Sequence, residues 1–193
     1  TANSHGRILV VEIMGNKAGW LTLYSGIAGG ADMIVIPEIP YDIDNLCAAC
    51  EKRAQQGKGF SILAVAEGAF DVQEAKMKKK ERAKLRAEAG ITTASNRIAK
   101  QIEAGTGLET RVCVPGHMLR GGSPSAYDRI LATQFGVHAA ELIAQEKYGY
   151  AVAKIGDLIS ENKLSDVAGK TKFVPENDQM IKTAKDIGIS FGD

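Results

Sequence analysis

Short apolar runs, separated from one another by helical patterns, constrain the fold of this chain more than any other feature. Residues 8–13 read Ile-Leu-Val-Val-Glu-Ile, a nearly continuous apolar and largely β-branched run. Runs of this kind are typical of strands that are covered on both faces, as in parallel sheets. Strands are predicted over residues 8–13, 33–36, 62–66, 112–114 and 150–155.

Helical patterns fill the intervals between these strands. A helix over residues 42–56, for example, places Leu46, Cys47 and Cys50 on one apolar stripe. The polar tail from Asp157 ends in a short helical pattern near residues 178–186. The longer helices are predicted over residues 20–28, 42–56, 72–89, 91–104 and 126–146. This alternation predicts an α/β fold, a three-layer sandwich with a mainly parallel sheet.

Composition narrows the class of protein. The net charge of +1 gives no global reason to expect nucleic acid or an anionic membrane surface as a partner. No apolar run approaches the roughly 20 residues of a membrane-spanning helix. Three cysteines, an odd number, argue against a disulfide framework and favour a reducing, cytoplasmic setting. The 193 residues begin without Met and enter an apolar strand almost at once, so we expect a segment of a longer protein.

Polar residues interrupt the apolar pattern where each of the first four predicted strands ends. Asn16 follows the first strand and Glu38 the second; Glu67 follows the third, and His117 and Arg120 the fourth. In an open parallel sheet, ligands bind outside the carboxyl ends of the strands. The sequence therefore predicts that these groups converge on one ligand-binding rim.

The connection after the fourth strand has the composition of an anion site. It carries His117 and Arg120, then two glycines that let a ligand approach the backbone closely. Ser123 is the predicted N-cap of the next helix, with Pro124 at its first position. Cationic side chains and a helix N-terminus suit a phosphate group. A plain strand-to-helix connection with surface charges is the alternative, and the spacing alone leaves both open.

Other sequence features have a structural interpretation. Cys47 and Cys50 have no second pair of Cys or His residues with which to bind a metal, so we expect both thiols to pack in a helix. The basic residues of segment 72–89 surround a helix without interleaved aromatics, which favours a solvated face over a nucleic-acid patch. The sequence contains no glycine-rich nucleotide motif, so no residue is assigned to a cofactor.

Four longer stretches carry a specific resemblance. They are SHGRILVVEIMGNKAGW, IAGGADMIVIPEIP, AVAEG and RVCVPGHMLRGGSPSAYDRILATQFG. These stretches resemble the carboxyl-terminal half of the 6-phosphofructokinase family, the glycolytic kinases that phosphorylate fructose 6-phosphate at its 1-hydroxyl. The last one fits the family signature, in which a basic residue precedes Gly-His by five positions and Arg-Gly-Gly and Asp-Arg follow.

By this resemblance, two groups of residues would bind fructose 6-phosphate. Arg7 and Arg111 would reach the 6-phosphate in a neighbouring subunit, which implies a homo-oligomer, a dimer or a tetramer. The residues that would act within their own subunit are Met14, Gly15, Asn16, Glu67, His117 and Arg120. Both groups are expected at the same rim of the sheet.

The resemblance also places parts of the site outside this sequence. Mg²⁺ and ATP or pyrophosphate would be bound mainly by an absent amino-terminal domain, and this segment receives no catalytic residue or metal ligand. The chain would divide into a sugar-phosphate-binding α/β domain (1–117), a segment that returns to the absent domain (118–166) and a carboxyl-terminal tail (167–193). We therefore expect this segment to be inactive by itself.

One departure from the family pattern bears on function. Asn16 stands where the family's Met-Gly-Arg turn carries an arginine that helps to neutralise the transferring phosphoryl group. Lys17 offers a charge nearby, without the bidentate fork of arginine. A catalytically inactive or regulatory sugar-phosphate-binding subunit is therefore the alternative function. The long interval between Glu67 and Arg111 is similar to that of longer members, which include pyrophosphate-dependent enzymes.

Overall fold

The computed structural model describes the backbone of residues 1–193 and every side chain except that of Lys79. Contacts divide the chain into two units, one formed by Thr1–Leu119 with Lys172–Asp193 and the other by Arg120–Thr171. The strands are β1 (Ile8–Ile13), β2 (Met33–Val35), β3 (Ser61–Ala66), β4 (Thr110–Cys113), β5 (Tyr150–Ile155) and β6 (Leu158–Lys163). The helices are α1 (Ala2–His5), α2 (Trp20–Ala28), α3 (Ile43–Gln55), α4 (Val72–Ala75), α5 (Lys79–Glu88), α6 (Ala94–Thr106), α7 (Ala126–Ala144), α8 (Leu164–Val167) and α9 (Gln179–Asp186), with a 3-10 helix over Gly116–Arg120.

The first unit is built on a sheet with the strand order β2-β3-β1-β4, in which neighbouring strands are parallel. Ile8 in β1 lies opposite Ser61 in β3 and opposite Thr110 in β4, so these strands start at the same edge. Their Val, Ile and Leu content follows from burial on both faces. The prediction of a mainly parallel sheet is confirmed.

Helices cover both faces of that sheet. On one face, α3 and α6 pack the fully buried side chains of Leu46, Ile98 and Ile102 against the strands. On the other face, α2 and α9 contribute Leu23 and Ile181 to a second buried cluster. This order of layers, helices, sheet and helices, confirms the three-layer α/β sandwich. No helix in the part of the chain that the structure describes is both long enough and apolar enough to span a bilayer.

The two thiols of α3 pack against the core, as the apolar stripe predicts. Cys50 is 1% exposed, and burial raises the pKa of its thiol to about 12. Cys47 is partly buried against the same cluster. Since a raised pKa keeps a thiol protonated and weakly nucleophilic, both side chains act as small apolar groups here.

The basic segment predicted as one helix over 72–89 is two helices. Asp71 caps α4 by accepting from the backbone N–H groups of Gln73 at 2.9 Å and Glu74 at 2.7 Å. Lys78 then adopts an extended conformation, and its N–H donates to the carboxylate of Glu81 at 2.9 Å. The second N-terminus therefore has its own capping carboxylate, which favours a break over a continuous helix.

Helix α7 begins at Ala126, as its predicted range requires, but its N-cap is Ser125 rather than Ser123. The Oγ of Ser125 accepts from the N–H of Asp128 at 3.2 Å, and the Asp128 carboxylate accepts from the N–H of Ser125 at 3.1 Å. This reciprocal pair satisfies two backbone donors at once. Ser123 cannot form such a pair, because the residue three positions later is not acidic. Pro124 consequently lies before the helix.

The second unit contains a hairpin that the sequence did not predict. Strands β5 and β6 pair antiparallel, with Gly156 at φ 61° in the tight turn between them, and α7 packs against both strands. The β6 sequence, Leu-Ile-Ser-Glu-Asn-Lys, lies in the stretch predicted as a polar tail. Glu161 of β6 instead accepts from Nε2 of His138 on α7 at 2.9 Å, and this hydrogen bond lowers the pKa of the Glu161 carboxyl.

Candidate functional site

A cavity of about 640 Å³ lies at the carboxyl ends of the strands of the first unit. The loops after β1, β2 and β3 form much of its wall, and α5 and Phe173 complete it. Its lining residues are Asn16, Lys17, Pro37, Glu38, Glu67, Gly68, Phe70, Arg82, Ala83, Arg86 and Phe173. The prediction that polar groups converge at this rim is therefore confirmed for Asn16, Glu38 and Glu67.

Glu67 holds the turn that follows β1. Its Oε1 accepts from the backbone N–H of Gly15 at 3.0 Å and from that of Asn16 at 2.6 Å. Among the described residues, none donates a hydrogen bond to Oε2. A carboxylate with one fixed oxygen and one available oxygen is preorganised to accept from a hydroxyl group.

The turn itself is tight and depends on residue type. Asn16 has a φ of 56°, in the left-handed region that Asn tolerates better than most residues. A Cβ added to Gly68 would lie 2.1 Å from the backbone oxygen of Asn16, so only glycine fits there. Met14 and Gly15 belong to the same turn, and close contact with the loop after β3 fixes its position.

Glu38 serves as a clamp. Its carboxylate accepts from the N–H of Gly19 at the start of α2, at 2.9 and 3.1 Å, and from the N–H of Val174 at 3.0 Å. The indole N–H of Trp20 donates to the carbonyl of Lys172 at 2.8 Å. Together these bonds fix residues 172–174 at the rim, which places Phe173 in the cavity wall.

A buried ionic cluster attaches α5 to the rest of the unit. Glu74 is 2% exposed and accepts from Arg86 through both oxygens, at 2.7 and 2.8 Å. It also forms an ion pair with Arg97, which pairs in addition with Asp71. Burial alone would raise the pKa of Glu74, but the hydrogen bonds and charges of Arg86 and Arg97 outweigh it and lower the pKa.

The interpretation of the basic segment as a solvated face is wrong for two of its arginines. Arg82 and Arg86 line the cavity. The guanidinium carbon of Arg82 lies 4.3 Å from the centre of the Phe70 ring. Arg82 and Arg86 are four positions apart and so share one helix face. That spacing was the signal available in the sequence. Glu74, the partner of Arg86, lies outside α5 and gave no such signal.

Two sequence-predicted residues follow β4 and are absent from the cavity wall. His117 is exposed and lies in the 3-10 helix that follows β4. Arg120 is the last residue of that helix and the first residue of the second unit. The first unit by itself therefore assembles the part of the predicted site that contains Asn16 and Glu67.

Arg7 and Arg111 lie at the other end of the sheet, so the expectation of one common rim is wrong for them. Arg7 directly precedes β1, and Arg111 lies opposite Leu9 near the start of that strand. The six residues of β1 span about 20 Å, the rise of a parallel strand being about 3.3 Å per residue. Both arginines pair with Glu109, Arg7 at 2.8 Å, and the hydrogen bond from Arg7 lowers the pKa of that carboxyl.

The described residues do not fit a metal centre. Nowhere in the described part of the chain do three or more His, Cys, Asp or Glu side chains form a group able to hold a metal ion. Glu38 and Glu67, the carboxylates of the cavity, accept from backbone N–H groups instead. No step of the chemistry proposed below is therefore assigned to a metal held by these residues.

Sequence comparison finds relatives along the whole chain. The model of the phosphofructokinase family matches residues 1–143. An ATP-dependent 6-phosphofructokinase of Spirochaeta thermophila is 49% identical over 100% of this chain and 53% of its own length. ATP-dependent 6-phosphofructokinase 3 of Bacteroides thetaiotaomicron is 44% identical over 100% of this chain and 52% of its own. The chain thus spans about half the length of these curated relatives.

Solved structures with the same fold are also found. Phosphofructokinase from Saccharomyces cerevisiae superposes with a TM-score of 0.69 at 32% identity, over 85% of this chain and 21% of that one. A pyrophosphate-dependent phosphofructokinase from Marinobacter aquaeolei gives a TM-score of 0.72 over 95% of this chain and 44% of that one. At 22% identity, the second likeness concerns the fold alone.

Proposed function

The chain belongs to the phosphofructokinase family, and from that premise we propose that it is the sugar-phosphate-binding part of a 6-phosphofructokinase. The complete enzyme would convert fructose 6-phosphate to fructose 1,6-bisphosphate in glycolysis. The observation that carries this proposal is Glu67, whose carboxylate is fixed through one oxygen at the mouth of a cavity that also contains cationic side chains. A sugar phosphate needs both kinds of group, acceptors for its hydroxyls and cations for its phosphate.

Within the subunit, Glu67 accepts from sugar hydroxyls through Oε2, and the Met14–Gly15–Asn16 turn that it holds supports the sugar. His117 and Arg120 contribute donors from the connection that follows β4. Their position after the carboxyl end of a strand of the same sheet supports this assignment.

Arg7 and Arg111 serve the site of a neighbouring subunit. Their place near the amino end of the strands supports this role. About 20 Å of strand separates Arg7 from the rim of its own sheet, and Arg111 lies opposite Leu9, about 13 Å from the carboxyl end of β1. A guanidinium pair held by one carboxylate offers unused donors to a phosphate. The assembly is a homo-oligomer, a dimer or a tetramer.

Mg²⁺ and the phosphoryl donor, ATP or pyrophosphate, are bound mainly by the half of the family's protein that this chain does not span. Residues 118–166 form the segment that returns to that half, residues 1–117 form the sugar-phosphate domain, and 167–193 form the carboxyl-terminal tail. The names of the relatives favour ATP as donor. The enzyme would act in the cytoplasm.

Arg111 provides a test of the shared site. Changing Arg111→Ala in the full-length protein should weaken fructose 6-phosphate binding by about tenfold or more, since charged hydrogen bonds to a ligand contribute about 1.5–3 kcal/mol. The melting temperature should stay close to that of the wild type, because the side chain is exposed. Calorimetric titration measures the affinity, with glucose 6-phosphate as ligand control and Lys100→Ala, an exposed cation of α6, as matched variant. An Arg111→Ala protein with unchanged affinity would contradict the role.

Asn16 favours a second candidate function, a catalytically inactive or regulatory sugar-phosphate-binding subunit, because it supplies no positive charge. The discriminating variant is Asn16→Arg in the full-length protein. If the wild type is an active enzyme, its turnover of fructose 6-phosphate should change by only a few-fold, since the other cationic groups of the site already act. An inactive wild type that gains turnover from this one change would instead support the catalytically inactive subunit. Asn16→Gly, which suits the left-handed backbone, controls for the effect of the substitution on the turn.

A further inference from the structure

The two arginines that α5 contributes to the cavity differ in what they already bind. Arg86 is bound by protein groups, because the Glu74 carboxylate accepts from its Nε and Nη2 and the carbonyl of Ala69 accepts from Nη2 at 3.0 Å. Arg82, one helical turn earlier, faces the same cavity. Among the described residues, no carboxylate forms an ion pair with Arg82.

Phe70 fixes Arg82 without using its donors. The guanidinium carbon lies 4.3 Å from the ring centre, a distance typical of a cation–π contact. Such a contact engages the face of the guanidinium group, whereas hydrogen bonds are donated from its edge. The side chain is therefore positioned by an aromatic ring while its N–H donors stay available to a ligand.

The helix that carries Arg82 is held in place by charge. No described residue of α5 is buried, so apolar packing gives this helix little reason to cover the rim. It is attached instead by the bond of Arg86 to Glu74, a carboxylate that is 2% exposed and that also pairs with Arg97. Removing one partner of a buried ion pair would leave an uncompensated charge, so this pairing keeps α5 in its observed position. That position brings Arg82 to the cavity.

We propose that Arg82 binds a phosphate group of the ligand in this cavity, and so acts as a substrate-binding residue supplied by the segment between Glu67 and Arg111. The inference rests on the proposed function and deepens it. The guanidinium edge of Arg82 donates hydrogen bonds to two phosphate oxygens, and no covalent bond is formed or broken. The phosphate belongs either to the sugar phosphate or to the group in transfer, and kinetic measurements distinguish these sources.

The test compares Arg82→Gln and Arg82→Lys in the full-length protein. Arg82→Gln should lower kcat/KM for fructose 6-phosphate by about tenfold or more, and Arg82→Lys, which keeps the charge but not the fork, should recover part of that loss. A rise in KM at constant kcat assigns the phosphate of the sugar. A fall in kcat with unchanged calorimetric affinity for fructose 6-phosphate assigns the phosphoryl group in transfer. The matched control is Lys84→Gln, whose side chain is 78% exposed on the same helix and should have no effect.

A direct binding measurement keeps the inference independent of catalysis. Pyrophosphate titrated calorimetrically into the wild type should bind at least tenfold more tightly than into Arg82→Gln, with melting temperatures confirming that both are folded. Should Arg82→Gln fail to fold, Arg82→Lys and Phe70→Leu provide the comparison, and each should weaken binding by a smaller factor. An inactive wild type would overturn the proposed function alone. Unchanged kinetics in an active enzyme, or pyrophosphate binding equal in wild type and variants, would overturn the assignment of Arg82.

Discussion

Replacing Glu74 by alanine is expected to destabilise the folded protein by about 3–5 kcal/mol, the usual consequence of removing one partner from a buried ion pair. The change would leave Arg86 and Arg97 without the carboxylate that both contact. Arg97 is 6% exposed, so its charge would remain largely shielded from water. The helix α5 would lose its attachment as well, and the cavity would lose the wall that carries Arg82.

Chemical unfolding in urea at neutral pH measures this effect, and Glu88→Ala is the matched control. Glu88 lies on α5, is mostly exposed, and pairs only with Lys84 in the described part of the chain, so its removal should change stability by less than about 1 kcal/mol. A Glu74→Ala protein as stable as this control would show that the buried cluster contributes nothing to folding.

The pH dependence follows from the direction of the Glu74 pKa. Because the carboxyl has a lower pKa in the folded state than its ordinary value, the unfolded chain binds a proton more readily. The stabilisation by Glu74 is therefore complete above the ordinary pKa of a glutamate and declines as the pH falls through the lower folded value. The stability difference between wild type and Glu74→Gln should accordingly narrow on acidification. A stability difference that widens at lower pH would contradict a lowered pKa for Glu74.

Replacing Glu67 by glutamine should lower the affinity for fructose 6-phosphate by about 10- to 100-fold, since hydrogen bonds to charged groups contribute about 1.5–3 kcal/mol. The amide oxygen of the variant can still accept from the N–H groups of Gly15 and Asn16, so the turn after β1 should persist. The amide NH₂ then replaces Oε2, and a donor faces the sugar where an acceptor is needed.

A second variant separates the two roles of this side chain. Glu67→Ala removes the acceptor for the turn as well as the acceptor for the ligand, so it should lower both affinity and melting temperature. Glu103→Gln, an exposed carboxylate of α6, should change neither. Calorimetric titration and thermal unfolding give the two readouts. An equal loss of melting temperature in Glu67→Gln and Glu67→Ala, with affinity unchanged, would make Glu67 a structural residue only.

The parallel sheet could be predicted because its signal is local. Ile8–Ile13 and Ser61–Ala66 are nearly continuous apolar runs, which are typical of strands covered on both faces. The convergence of Asn16 and Glu67 followed from the same pattern, since parallel strands bring their carboxyl ends to one edge. The same rule should have placed Arg7 at the opposite edge, because it precedes β1.

The remainder of the site depends on contacts between distant residues. Glu74 is recognisable as a helix anchor only once Arg97, 23 positions later, is known to pack beside it. Phe173 reaches the cavity because Glu38, more than 130 positions earlier, accepts from the neighbouring N–H. Neither pairing leaves a periodic pattern in the sequence, whereas the four-residue spacing of Arg82 and Arg86 does.

Turnover of fructose 6-phosphate in the full-length protein, with ATP and pyrophosphate offered separately, is the decisive test of the proposed function, and fructose 1,6-bisphosphate is the product to measure. We expect product with at least one donor, and a large loss of kcat/KM in the Glu67→Gln variant under the same conditions. A folded protein that binds fructose 6-phosphate yet forms no product with either donor would contradict the claim. Such a result would support the alternative, in which this chain belongs to a regulatory sugar-phosphate-binding subunit.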